Sequence, residues 1–211
     1  KPLHLTVFSK PGYQFVGWNG VSDSTTITYH CAMDTTFIAM FDVSNEFILP
    51  EVIEENTTLT NAHPYVVTQD LSIPSGILLT IQEGVELRMF HGSNIHVEGQ
   101  LLINGTEENP IQIIAHNSIE NNRWGAICFT NALDTSYISH TKISGASTGI
   151  NPSVHHGAIS SINSHIVISH IEIDDVVFPI YVEDGSISIS ESVLSCDYIC
   201  DYINVKGGEA L

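Results

Sequence analysis

Aspartate and histidine are the residues of this chain that could do chemistry, and they recur at matched places in a repeating text. Asp174 and Asp175 precede Asp197 by about one repeat. If successive repeats lie one above another at strand spacing, carboxylates on neighbouring layers come to within about 5 Å. That separation suits the carboxylate pair of a retaining glycosidase, with Asp174, Asp175 and Asp197 as candidate acid, base or nucleophile. With Asp201 added, Asp174, Asp175 and Asp197 make an acidic patch in which calcium is the natural occupant. A solvated polar turn accounts for the same four residues without any ligand.

A second set is His140, His170 and Glu191, each two residues after a matching isoleucine. By residue type it could be a metal triad, but ligands must converge to about 2 Å from one ion. The outer members of a three-layer column are about 9.6 Å apart, twice the strand spacing. The expectation is a solvated corner with some capacity to bind a ligand. His155 and His156 fall in "STGINPSVHHGAI", an insertion relative to later repeats. Insertions on one face of a repeat array are often its binding surface.

These residues need a scaffold that repeats, and the text supplies one. "LSI", "LLTI" and "VEL" in residues 71–87 are followed by "IHV", "LLI" and "IQI" in residues 95–113. Further on, "YISHTKIS", "VISHIEID" and "SISESVLS" align Ile138 with Ile168 and Ile189, and Ile143 with Ile173 and Leu194. A period of roughly 20 to 30 residues built from strands this short predicts a solenoid, and no 3.6-residue period competes. Strands of a sandwich are longer and reverse by hairpins. The predicted fold is therefore all-β: a right-handed parallel β-helix over 65–211, truncated at its C-terminus, with 44–64 as an acidic connector. Residues 1–43, with Tyr13, Phe15, Trp18, Phe37 and Phe41 between turn glycines, form a small N-terminal β domain in which Trp18 serves as a core anchor.

Bulk composition excludes some partners. Lys+Arg number 6 against 24 Asp+Glu, a formal net charge of −18, so a phosphate backbone would be repelled. Nucleic acid is not expected, and no apolar run is long enough for a membrane helix. Four cysteines show no CxxC spacing, so a zinc site is not expected; buried thiols are the first reading, and a Cys196 to Cys200 bridge the alternative. The first and last residues both fall within strand-like text, so the chain reads as a fragment of a longer protein whose other domains are among its expected partners.

Two resemblances extend this reading. "GYQFVGW" followed by "DTTFIAMF" resembles the second half of GYxFxGW-type small β repeats of bacterial surface proteins, which implies an extracellular spacer or adhesion module. "IPSGILLTIQEGVELRMFHGSNIHVEGQLLINGTEENPIQI", with the strand from Trp124 to Phe129, resembles right-handed parallel β-helix proteins of the pectate-lyase-like superfamily over residues 65–205. It looks most like the modules of large bacterial surface proteins. Enzymes of that superfamily need cations on the substrate face, whereas Arg88, Arg123, Lys142 and Lys206 are scattered. The expected function is a non-enzymatic cell-surface or secreted module, a stalk or a surface binding a glycan or another surface protein. The alternative is a carbohydrate-active enzyme, lyase or glycoside hydrolase. Beyond possible calcium no cofactor is expected.

Overall fold

The computed structural model describes residues 2–9, 13–30, 34–116, 123–147, 151, 156–196, 201–207 and 209–211. Every regular element among them is a β-strand, and no helix is present. The chain divides into two compact units, residues 1–47 and residues 48–211.

In the first unit the pairing is antiparallel. Pro2–Thr6 pairs with Thr26–His30, and Tyr13–Trp18 pairs with Ala39–Val43. Phe15, Trp18, Phe37 and Phe41 meet edge to face, with ring centroids 5.7 to 6.4 Å apart. Trp18 is buried and its indole N–H donates to the Ser24 carbonyl at 2.9 Å, so this tryptophan anchors a core.

The second unit is built from parallel pairs. In a six-stranded sheet, Leu71–Ile73, Ile95–Val97, Ile127–Thr130, Ile159–Ile162, Ile180–Glu183 and Ile203–Lys206 follow one another in sequence order. Each pairs in register with the next, so Leu71, Ile95, Ile127, Ile159, Ile180 and Ile203 make one column. A twelve-stranded sheet contains the remaining pairs, among them the column Leu59, Ile81, Ile103, Ile138, Ile168, Ile189. These sheets curl, half-barrel fashion, around a shared core.

Alternation explains which side chains enter that core. Isoleucine, valine and leucine occupy every second position, and β-branched chains fit a pleated, half-buried surface. Along His165–Asp174, Ile166, Ile168, Ile171 and Ile173 are buried while Glu172 and Asp174 are exposed. The alternation skips one residue between Ile168 and Ile171, at His170, where the backbone turns left-handed with φ 52°. His140 makes the same break in Ser136–Ser144 with φ 45°. Both long strands thus bend at a histidine and continue in a new direction.

The acidic stretch 44–64 also contributes. Thr57–Leu59 pairs in parallel with Leu78–Gln82, and Leu49, Ile53 and Leu59 join the apolar cluster. Trp124 is fully buried and donates its indole N–H to the Ser144 carbonyl at 2.8 Å.

Because Ile168 lies in a column with Ile138 below and Ile189 above, Ile168→Ala should cost about 2–5 kcal/mol. Ser169→Ala, on the half-exposed face, should stay within about 0.5 kcal/mol. Urea midpoints of the two variants check this, and equal losses would invalidate the assigned faces.

Candidate functional site

The corner at which the two long strands bend brings His140, His170 and Glu191 into one column. All three have left-handed backbones, φ 45°, 52° and 47°. Their order follows from the register, since Ser139 pairs with Ser169 and Ser169 with Ser190. The His140 and His170 rings stack with centroids 4.3 Å apart and planes 8° from parallel. His170 Nε2 is paired with Glu191 Oε2. Two residues further along each strand, Lys142 Nζ reaches Glu172 Oε2 at 3.1 Å.

These side chains, with Glu107 and Pro110, line an open cleft of about 430 Å³. A volume of that size is within the range of small-ligand sites. Sequence spacing identified His140, His170 and Glu191. It missed Lys142, Glu172 and Glu107, although Lys142 and Glu172 stand at equal offsets from the two histidines in the repeated text.

A second corner provides a comparison. Asn131, Asn163 and Asp184 have φ 52°, 47° and 50°, and Asn163 Nδ2 donates to Asn131 Oδ1 at 2.8 Å. Asparagine and aspartate tolerate left-handed backbone because their short side chains bond locally. The His140 corner has the same backbone with glutamate and two histidines in place of those turn formers. Glutamate has no such local advantage there, so its side chain is held at a backbone cost.

The stacked rings bear on metal binding. Imidazole lone pairs lie in the ring plane, so two parallel stacked rings direct theirs side by side and do not converge on one ion. Among the described residues no group of three His, Cys, Asp or Glu side chains could hold a metal. Asp197 and His155 lie outside the described residues, and Asp201 is exposed.

Asp174 and Asp175 are neighbours with different surroundings, and neither lines the cleft. Asp175 Oδ1 accepts from Arg123 Nη2 at 2.7 Å. Arg123 Nη1 also donates to the carbonyls of Asp175 and of Ala146, the latter at 3.1 Å. This clamp ties segments 52 positions apart. The Asp174 carboxyl is pushed above the usual carboxylate range by partial burial and by the charges of Glu172 and Asp175, against the pull of Lys142.

His156 sits elsewhere, against Tyr181, with ring centroids 4.3 Å apart. The Tyr181 hydroxyl donates to Glu183 Oε2 at 2.7 Å, and Lys206 Nζ donates to Glu183 Oε1 at 2.6 Å. Those donors, Lys206 first, hold Glu183 below its ordinary range, and Glu183 in turn raises Lys206.

Position-by-position reading did not foresee the row Asp70, His96, Cys128. Asp70 Oδ1 accepts from the backbone N–H and side-chain Nδ2 of Asn94, both at 2.9 Å. Its Oδ2 lies 3.2 Å from His96 Nε2, and His96 is the register partner of Cys128. The residue types suggest a nucleophile, base and orienter, yet burial, with the Asp70 charge adding, pushes the Cys128 thiol up to about 12. A thiol so placed stays protonated and inert. Cys128 is a free, buried thiol as the sequence suggests, whereas Cys196 departs from that reading and is disulfide-bonded. Cys31 and Cys200 lie outside the described residues.

No protein-family model matches the chain, and no curated protein or solved structure matches it significantly.

Iodoacetamide at pH 8 should leave Cys128 unmodified in the folded chain and label it after denaturation, read from the mass of the Cys128 peptide. Labelling of the native protein at the rate of a free thiol would contradict its burial. For Asp174, the folded carboxyl is raised, so its ionisation opposes folding once pH exceeds the unfolded value of 3.8. The penalty is absent where the group is protonated in both states. Asp174→Asn should accordingly raise the melting temperature at pH 7, by no more than about 2 °C given its exposure, and leave it unchanged at pH 3.

Proposed function

We propose that residues 48–211 form a right-handed parallel β-helix belonging to a secreted or cell-surface bacterial protein, and that it acts as a non-enzymatic binding module. The solenoid reading is supported by parallel pairing between segments one repeat apart around one continuous core. Right-handedness follows the strong general preference of parallel crossover connections. The disulfide at Cys196 suits an oxidising compartment, as does the resemblance to surface repeats.

The observation that carries the binding role is the cleft at the His140 corner. Its left-handed positions are filled by histidine and glutamate, while an equivalent corner uses asparagine and aspartate. Histidine, like asparagine and aspartate, accepts that backbone, whereas glutamate does not favour it; a glutamate kept there among the lining of a cavity favours a ligand over a purely structural role. The ligand is a glycan or another surface protein.

One observation favours the second reading, a carbohydrate-active enzyme. Asp174 has the raised carboxyl of a general acid. Against it, Asp175 is occupied by Arg123 and neither aspartate faces the cleft. Calcium at Asp174, Asp175, Asp197 and Asp201 would serve stability in either reading.

Screening the full chain on an array of bacterial glycans and surface-protein peptides tests the module. A captured ligand should bind at least about tenfold more weakly to a His170→Asn, Glu191→Asn double variant, which keeps residues suited to the bend. Undiminished binding would take the cleft out of the reading. Incubation with a panel of polysaccharides should release no reducing sugar, and release abolished by Asp174→Asn would establish the enzyme instead. A melting temperature lowered by chelator would place calcium in the protein.

A further inference from the structure

The His140 column ends in a gap. Asn104 pairs with Ser139, so the residue preceding His140 in the column is Gly105, whose N–H donates to the Ser139 carbonyl at 3.1 Å. A side chain cannot stand there, because a Cβ on Gly105 would come within 2.2 Å of the His140 carbonyl oxygen. One face of the His140 ring is covered by His170, and the position on its other side has no side chain to cover it. The cleft wall beyond Gly105 bears Glu107, an exposed carboxylate with no partner among the described residues. Glu172 and Glu191, by contrast, are paired with Lys142 and His170.

A flat ring face and an unpaired carboxylate lining the same cleft select for a flat cation. Guanidinium is planar, stacks on aromatic faces and forks onto a carboxylate with two parallel N–H donors, whereas an ammonium is a compact and strongly hydrated point charge. We infer that the corner cleft receives the arginine side chain of a partner protein, its guanidinium lying on the open face of His140 and bonded to Glu107. This rests on the binding-module reading and gives it a partner chemistry. The formal charge of −18 steers a cationic segment toward the chain and disfavours an acidic one. With three carboxylates against one lysine, the cleft itself is complementary to such a ligand.

The test follows the His140 ring resonances of the full chain by NMR at pH 7.5 during titration with N-acetyl-arginine methylamide, N-acetyl-lysine methylamide or a neutral glucose hexamer. Arginine should bind about fivefold more tightly than lysine, and the hexamer should not bind. His140→Asn, which suits the left-handed backbone, should abolish the preference for arginine, read from the Glu107 side-chain resonances. Glu107→Gln should weaken both cations about fivefold or more. Glu54→Gln with Glu55→Gln, remote exposed carboxylates, should change nothing. Equal binding of arginine and lysine would overturn the inference while leaving a cation-binding cleft. Binding of the hexamer alone would overturn it in favour of a glycan. Silence of the ring resonances with all three probes would remove the cleft as a binding site along with the inference.

Discussion

Parallel pairing in register is the constraint from which the rest of the second unit follows. Strands joined this way lie about 4.8 Å apart, and each side chain stands directly over its counterpart in the next repeat. An inward position must therefore suit the residues above and below as well as the strand it belongs to. Isoleucine and its branched relatives meet that demand along the column from Leu59 to Ile189. On the outside the same stacking would set like charge upon like charge. In two places the chain changes sign between layers, Lys142 over Glu172 and Glu183 beneath Lys206, and Glu191 takes the His170 imidazole as its partner. In a protein so acidic, Lys142 and Lys206 each stand next to a glutamate of the adjacent strand.

Much of this arrangement can be read from the sequence, because a repeat is a local statement made several times. The matched segments ending in Ile173 and Leu194 pair as their alignment implies, and the His140, His170, Glu191 column is a corner. Legibility fails where a contact joins unlike positions. Nothing in the text links Arg123 to Asp175, since the clamp depends on where two different loops meet. The left-handed backbone at Glu191 is equally silent, as glutamate does not mark a turn in the way glycine or asparagine does. Glu107 lines the cleft from the connection between Gln100–Asn104 and Ile111–Ala115, outside the matched strand text.

The two corners also show how a regular scaffold divides its work. At Asn131, Asn163 and Asp184 the residue types serve the bend itself, and the amides bond to one another. At His140, His170 and Glu191 the bend is made by side chains that project ionisable groups into a cavity. Cys128 marks a third situation, a reactive residue type made unreactive because the place it occupies excludes water.

Since each member of the histidine corner comes from a different repeat, the number of imidazoles presented there equals the number of repeats that spell histidine at that offset. Loss or duplication of one whole repeat would shorten or lengthen the array of stacked rings while leaving the backbone path of every other layer intact. The length of the ring array can thus change by copying a segment, with no new corner having to be invented.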